Sequence, residues 1–163
     1  MGSNEKEYAQ ISQSIHDPII SAFLNSKFSR ARELGVTLTF DLIGELQQIT
    51  DSSVTHRLIT ILGNLIDNGL DAVQFLEDKK IAVQLNITKN DLIIQVKDNG
   101  NGISQEDSQK IFTKGYSTKG DNRGIGLYLV LASVNELNGH IELDQKVGLG
   151  TCFRIYLPLK KLY

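Results

Sequence analysis

The sequence predicts an α+β protein of two layers, in which helices pack on one face of a mixed, mostly antiparallel sheet. Three observations lead to this prediction. Segments with helical periodicity alternate with segments of strand periodicity. Short turns, one polar and one rich in glycine, join the later strand-like segments, which is typical of antiparallel hairpins. The chain has 163 residues, 40% of them hydrophobic, which is enough to bury one sizeable core.

The first segment, residues 5–34, has helical periodicity. Its apolar residues at this spacing are Ile11, Ile15, Ile19, Ala22 and Phe23. Pro18 lies inside the pattern and is expected to break or kink the helix, because its ring removes a donor and clashes with the preceding turn. Gly35 is a natural stop, and the alternation over 36–42 predicts the first strand.

The longest helical pattern covers residues 55–75 and follows a capping segment at 51–53. Its apolar face consists of Leu58, Leu62, Leu65, Ile66, Gly69 and Val73. Asn64, Asn68 and Asp71 lie three or four residues apart, so they share a neighbouring face of this helix. Carboxamide and carboxylate oxygens are ligands for a hard cation. A solvated polar stripe would have the same pattern.

The remaining elements follow from shorter patterns. Alternating segments at 81–87 and 92–96 flank a polar turn and predict a hairpin. Residues 98–123 have loop composition, with one short helix expected near 105–112. The last predicted elements are a helix over 124–137 and two strands over 140–146 and 151–158.

Composition and charge exclude several classes of protein. The net charge of −2 provides no basic field for nucleic acid. No apolar run reaches the roughly 18 residues that a membrane span requires, and no secretory leader is visible. The single cysteine, Cys152, excludes an internal disulfide and a cysteine-rich zinc site, and its strand pattern predicts a buried thiol. We therefore expect a soluble, cytoplasmic chain.

Three glycine clusters carry the chemistry. In residues 98–102, glycines after a strand permit close backbone approach, and Asp98 could accept a hydrogen bond from an exocyclic amine. Residues 120–126 open a helix whose amides would meet an anion, and Arg123 would add a bidentate phosphate partner. Residues 148–151 alone are typical of a hairpin turn. The dinucleotide fingerprint and the P-loop pattern are both absent from the sequence.

The order and spacing of these segments resemble the ATP-binding domain of the GHKL superfamily, the Bergerat fold, and within it the catalytic domain of sensor histidine kinases. The matching boxes are N at 62–72, G1 at 98–102, G2 at 124–126 and G3 at 148–151. Residues 111–120 resemble the F box and the mobile ATP lid. The lid and residues 14–35 are most similar to the citrate and C4-dicarboxylate sensor kinases.

The resemblance implies a site for ATP and Mg²⁺. Asn68 matches the asparagine that coordinates Mg²⁺, and Asn64, one turn earlier, supports that site. Asp98 matches the carboxylate that accepts a hydrogen bond from the adenine amino group. The other residues placed in the site by resemblance are Asp71, Gly100, Gly102, Ile103, Lys114, Tyr116, Ser117, Thr118, Lys119, Arg123, Gly124, Ile125, Gly126, Leu127 and Thr151.

The resemblance implies a role for several of these residues. The glycines of G1 let the backbone approach the base, and those of G2 present amides to the phosphates. Thr151 matches a residue near the adenine pocket. The lid cations Lys114, Lys119 and Arg123 are candidates to face the phosphates, and Arg123 joins Asn64 and Asn68 as a candidate catalytic residue.

Position 64 distinguishes members of the superfamily. In the ATP-hydrolysing relatives that this chain resembles, a glutamate at the matching position activates water. Asn64 has no useful basicity, which favours transfer of the γ-phosphoryl group to a nucleophile from elsewhere. The sequence departs from many histidine kinases in having no basic residue shortly after Asn68, and the lid lysines could supply that charge.

The nucleophile must be a histidine, and the chain has three. His56 and His140 are expected to be structural or exposed. The pair His16 and Asp17 superficially resembles a phosphoacceptor box, but Pro18 follows at once. In the resembling subfamily this Asp-Pro pair lies in the second helix of the dimerisation hairpin. The acceptor helix is therefore expected to be absent from this chain.

The sequence thus predicts residues 1–34 as the remainder of a dimerisation hairpin and residues 35–163 as an ATP-binding catalytic domain. The implied partners are the chain's own missing acceptor helix, a second protomer and a response regulator, with no nucleic acid. A membrane would be reached only through absent parts of the parent protein. Two alternatives remain: a serine kinase of the same superfamily that acts on an anti-sigma antagonist, and a nucleotide-gated binding module without catalysis.

Overall fold

The structure is a computed structural model that describes residues 3–103, 106, 110, 126–146 and 149–163. Two predicted features, the short helix near 105–112 and the lid, lie outside the described residues apart from single positions. The helices are α1 (Ser3–Ser14), α2 (Pro18–Glu33), α3 (Ser52–Val73) and α4 (Gly126–Glu136). The strands are β1 (Thr37–Ile43), β2 (Lys80–Ile87), β3 (Asp91–Asp98), β4 (His140–Lys146) and β5 (Gly150–Pro158). A short 3₁₀ helix follows at Leu159–Lys161.

The strands form one sheet in the order β1-β2-β3-β5-β4. Strand β1 pairs with β2 in parallel, whereas the other three pairs are antiparallel. Helices α2, α3 and α4 contact the sheet, and alternate residues of β1 on its other face, such as Thr39 and Asp41, are exposed. The predicted α+β class, with a mixed and mostly antiparallel sheet covered on one face, is therefore confirmed.

Pro18 breaks the first helical segment in two, as predicted. It occupies the first turn of α2, where the missing N–H costs nothing because that position has no intrahelical partner. The break also changes the helical phase, so Ile19 and Ala22 do not continue the apolar side of Ile11 and Ile15 as predicted: Ile19 is 57% exposed and Ala22 is exposed. The residues that α2 buries are Ile20, Leu24, Phe28 and Ala31.

Asp17 fixes the elbow between α1 and α2. Its side chain is 1% exposed, and Oδ1 accepts two amide hydrogen bonds of 3.0 Å from the first turn of α2. Oδ2 accepts from the amide of Ile49, also at 3.0 Å. Leu46 in the same connection donates to the carbonyl of Ser14 at 2.9 Å and accepts from the amide of His16 at 2.8 Å. The elbow is therefore bonded to the connection between β1 and α3.

Helices α1 and α2 belong to the same hydrophobic core as the sheet. Ile11 of α1 and Leu24 of α2 are almost fully buried in that core. The ring of Phe28 lies edge-on to that of Phe40 in β1, with 6.2 Å between centroids. Aromatic pairs in this geometry attract one another beyond the area they bury. The helical segment is thus packed against the strands in the described structure.

The cysteine prediction is confirmed. Cys152 is 8% exposed within β5, and burial raises the pKa of its thiol. A protonated thiol in a strand acts as a small apolar side chain.

Candidate functional site

Helix α3 supplies one wall of the candidate site. Its N-cap is Asp51, whose Oδ1 accepts from the amide of Ser53 at 2.9 Å and from its hydroxyl at 2.7 Å. These hydrogen bonds lower the pKa of the Asp51 carboxyl. The apolar residues predicted for this helix, from Leu58 to Val73, are all buried. Burial of that face fixes which side of α3 is turned toward the remaining elements of the site.

The polar face of α3 is half-buried, as its position beside the apolar face predicts. Asn64, Asn68 and Asp71 are all intermediate in exposure. Asn64 Nδ2 donates to the carbonyl of Thr60 at 2.7 Å. A Cβ atom at Gly126 would lie only 2.9 Å from Asn64 Oδ1, so α4 begins directly against this asparagine. The glycine of the G2 box and the first asparagine of the N box are therefore neighbours.

Asn68 carries a polar atom that needs a partner. Its Nδ2 is buried and has no hydrogen-bond partner among the residues that the structure describes. A buried amide in this state is costly, and a polar ligand would relieve it. Rotation of the carboxamide by half a turn exchanges nitrogen for oxygen, so the same position can offer an oxygen to a cation. The residue therefore fits the metal-ligand role implied by the resemblance.

Asp98 forms the other wall of the site, at the end of β3. It is 7% exposed and pairs with Ile81 in β2 and with Thr151 in β5. Its Oδ1 accepts from the amide of Gly100 at 2.9 Å. Thr151 is itself 6% exposed. A buried carboxylate beside a buried hydroxyl can read a hydrogen-bond donor on a ligand.

Close contacts join the two walls. A Cβ atom at Gly69, next to Asn68 in the chain, would lie 3.7 Å from the Cβ of Asp98. A Cβ atom at Gly100 would lie 2.9 Å from the carbonyl oxygen of Ala72, and Gly102 adopts a positive φ of 78°. The absence of side chains at these positions lets the N box and the G1 box approach each other. The N box and the G1 box therefore lie side by side.

Several predicted site residues have more peripheral or undescribed positions. Ile103 and Leu127 are partly buried and pack against the core. Those that lie outside the described residues are Lys114, Tyr116, Ser117, Thr118, Lys119, Arg123, Gly124 and Ile125. The proposed phosphate contacts of the lid therefore stay predictions.

The sequence did not single out three neighbours of Asp98. Gly69 was predicted only as part of the apolar face and the N box, Gly150 only as part of the G3 box, and Ala72 only as part of the N box. All three line the contacts around Asp98 and Gly100. The one available signal was glycine at an interior helical position, where it weakens the helix and therefore suggests a packing reason.

Within 3–103 and 126–163, less the two residues 147 and 148, no helix combines the length and the apolar character needed to cross a membrane. The same residues hold no cluster of three or more histidine, cysteine, aspartate or glutamate side chains arranged for a metal.

Residues 53–161 match the family described as histidine kinase-, DNA gyrase B- and HSP90-like ATPases. A probable C4-dicarboxylate sensor kinase of Halalkalibacterium halodurans is 41% identical over 154 residues, which are 93% of this chain and 29% of that protein. The sensor histidine kinase DcuS of Escherichia coli K12 is 37% identical over 154 residues, or 94% of this chain and 28% of the relative. The chain thus spans less than a third of these relatives.

Solved structures show the same fold. The catalytic domain of the histidine kinase ThkA superposes with a TM-score of 0.70 at 22% identity, covering 86% of this chain and 89% of that chain. The mycobacterial sensor histidine kinase MprB gives 0.67 at 20% identity, with coverages of 85% and 93%. Together, the matches confirm the predicted fold and the predicted resemblance to citrate and C4-dicarboxylate sensor kinases.

Proposed function

Because the chain belongs to the family of histidine kinase-, DNA gyrase B- and HSP90-like ATPases, we propose that it is the ATP-binding catalytic domain of a two-component sensor histidine kinase. The observation that supports this most strongly is the buried Asp98 at the end of β3, paired with Thr151 and close to Gly69, the residue that follows Asn68. A carboxylate in this position accepts a hydrogen bond from the amino group of adenine. The guanine ring presents a carbonyl there, which the carboxylate would repel.

Asn68 is proposed as the protein ligand to Mg²⁺. Its buried, unsatisfied carboxamide among the described residues supports this assignment. Bound Mg²⁺ would supply charge neutralisation for the phosphates. Asn64 is bonded to the carbonyl of Thr60 and lies next to Gly126, so it would hold the start of α4 in position relative to Asn68. Asp71 lies one turn further along the same face of α3.

The chemistry proposed is phosphoryl transfer without hydrolysis. Asn64 cannot take a proton from water at neutral pH, so the site lacks the base of the hydrolytic relatives. The bond from the γ-phosphorus to the bridging oxygen of ADP breaks, and a bond to an imidazole nitrogen forms. The imidazole proton leaves to solvent. Arg123 and the lid lysines are proposed to face the phosphates during this step.

The acceptor histidine is proposed to lie on a helix outside this chain. All three histidines of the chain are exposed, and His16 pairs with Glu45 at 3.1 Å. Its neighbour Asp17 is buried in the elbow, where it caps α2 instead of assisting a histidine. Residues 1–34 are proposed as the end of the dimerisation hairpin, joined to the catalytic domain of residues 35–163.

The proposed partners follow from that role. The missing helix would come from the chain's own parent or from a second protomer, and a response regulator aspartate would then take the phosphoryl group. The two relatives described above are named as sensor kinases, and we propose that this chain works at the cytoplasmic side of a comparable parent protein.

A transfer assay tests this function. The chain is incubated with Mg²⁺, γ-labelled ATP and a separately produced fragment carrying the acceptor helix of the parent. Label should appear on the fragment in an acid-labile form. The variant Asp98→Asn should give no label, whereas Asp144→Asn, at an exposed position of β4, should match the wild type. ATP binding without any transfer would instead identify a nucleotide-gated binding module, and acid-stable label on a serine would identify the serine kinase branch.

A further inference from the structure

Two contacts between α2 and α3 lie directly beside the predicted metal site. A Cβ atom at Gly63 would be 3.1 Å from Cζ of Phe23, so the ring of Phe23 rests on the backbone of α3. One turn later, Lys27 Nζ lies 2.7 Å from Asp67 Oδ1. Gly63 and Asp67 each precede one of the two asparagines of the N box by a single residue. This placement was not apparent from the sequence.

Helical geometry couples these contacts to the asparagines. Successive residues of an α-helix are rotated by about 100°, and residues four apart lie on one stripe. Positions 63 and 67 therefore form the stripe that faces α2, and positions 64 and 68 form the adjoining stripe. A rotation of α3 that moves one stripe moves the other through the same angle. With no side chain at Gly63, the ring of Phe23 leaves little room for such a rotation.

The ammonium group of Lys27, at the second contact, lies close to two partners. The side chain of Lys27 is only 20% exposed, and its Nζ also lies 5.6 Å from the centroid of the Phe23 ring. The ammonium group therefore interacts with both the ring and Asp67. Asp67 itself is 55% exposed and points away from the nucleotide side of α3 toward α2.

We propose that Phe23 and Lys27 are positioning residues for the metal site, which hold α3 at the rotation that directs Asn64 and Asn68 toward Mg²⁺. This proposal rests on the proposed function, because it assigns a role within the same Mg-ATP site. Asp98 is held in the sheet by its strand pairing with β2 and β5, and α3 approaches it at Gly69, which has no side chain. Disturbing the contact between α2 and α3 should therefore weaken the Mg²⁺-dependent part of ATP binding and leave adenine recognition intact.

Calorimetric titration of ATP with and without Mg²⁺ separates the two parts. For Lys27→Met, we expect ATP affinity in EDTA to equal that of the wild type. The gain from Mg²⁺, meaning the factor by which Mg²⁺ increases ATP affinity, should fall by roughly two- to fivefold, which is the range for one partly exposed ion pair. Phe23→Ala should reduce that gain further. Arg30→Met is the matched control, because Arg30 pairs with Glu33 on the exposed side of α2. The double variant Lys27→Asp with Asp67→Lys should restore part of the gain.

Two results would overturn the proposal. One is a Mg²⁺ gain in Lys27→Met equal to that of Arg30→Met. The other is an equal loss of affinity with and without Mg²⁺, which would indicate a structural role alone. Should Phe23→Ala fail to fold by circular dichroism, Lys27→Met and the double variant still decide the question. A wild-type chain that binds no ATP in either buffer would contradict the proposed function itself.

Discussion

Gly150 rests on the backbone of Asp98: a Cβ atom at position 150 would collide with the Asp98 carbonyl oxygen. Gly150 also has a φ of 94°, a backbone angle that residues with a side chain rarely adopt. Gly150, the first residue of β5, thus packs directly against the end of β3 that carries the Asp98 carboxylate. Thr151, the next residue, is the strand partner of Asp98.

Replacing Gly150 with alanine should therefore damage both folding and ATP binding. We expect a free energy of unfolding lower by about 3 kcal/mol, from steric overlap and backbone strain together. Urea denaturation and calorimetry measure the two effects.

The matched control is Gly35→Ala. Gly35 has a φ of 70°, but a Cβ atom there would have no atom within 4 Å. Only backbone strain remains, about 1 kcal/mol, and ATP affinity should not change. Equal behaviour of the two variants would contradict the role given to Gly150.

Gly126→Ala should separate stability from binding. The new Cβ would lie 2.9 Å from Asn64 Oδ1 and displace that side chain from its present position. Alanine at the start of α4 should leave stability unchanged or slightly higher, because it favours the helix. Affinity for Mg-ATP should fall about tenfold, equivalent to 1.4 kcal/mol. Full affinity in this variant would show that Asn64 does not need its present position.

Asp17→Ala should weaken the elbow between α1 and α2. The variant removes the acceptor for three amides, of which those of Ile20 and Ile49 are buried. We expect a loss of about 3 kcal/mol in the free energy of unfolding, measured with denaturant.

Asp51→Ala serves as the comparison for Asp17, since Asp51 is an exposed N-cap of α3. The loss should be smaller than that of Asp17→Ala, because Asp51 accepts hydrogen bonds only from the exposed first turn of its own helix. If both variants lost the same free energy of unfolding, the buried hydrogen bond from the Ile49 amide to Asp17 would contribute nothing to stability.

Tyr163 should make stability fall at alkaline pH. Burial raises the pKa of its phenol above the usual 10.0, and the hydroxyl both accepts from the amide of Gln47 and donates to its carbonyl. The folded state therefore favours the neutral phenol, so this stabilisation is complete below pH 10 and is lost as pH rises through the raised pKa. As pH rises from about 9 through the raised pKa of Tyr163, Tyr163→Phe should lose less stability than the wild type. Parallel pH curves would refute this origin of the alkaline loss.

Local patterns predicted the elements well, because burial of one face leaves a clear periodicity. The apolar face of α3, the hairpin of β2 and β3, and the break at Pro18 all follow from residues close in sequence. The place of Ile19 on one apolar side with Ile11 and Ile15 was wrong because the phase of α1 was carried through that break. The parallel pairing of β1 with β2 joins distant segments, which no local pattern encodes.

The site was predictable in its components but not in its contacts. The boxes identified Asn68 and Asp98 through family resemblance. That Gly69 and Gly150 both approach Asp98 depends on how α3 crosses the sheet and on the register of β5. Lys27 and Asp67 are 40 residues apart in the sequence. Their pair joins two helix surfaces, and the sequence pattern of each helix alone would indicate only a solvated polar side chain there.

The most direct test of the central claim is calorimetric titration of this chain with Mg-ATP and, in parallel, with Mg-GTP. Recognition of the adenine amino group by Asp98 predicts saturable ATP binding and no response to GTP. Asp98→Asn should remove the ATP response while the fold is retained by circular dichroism. Equal binding of the two nucleotides, or binding of neither, would contradict the assignment of this site as an adenine-reading kinase domain.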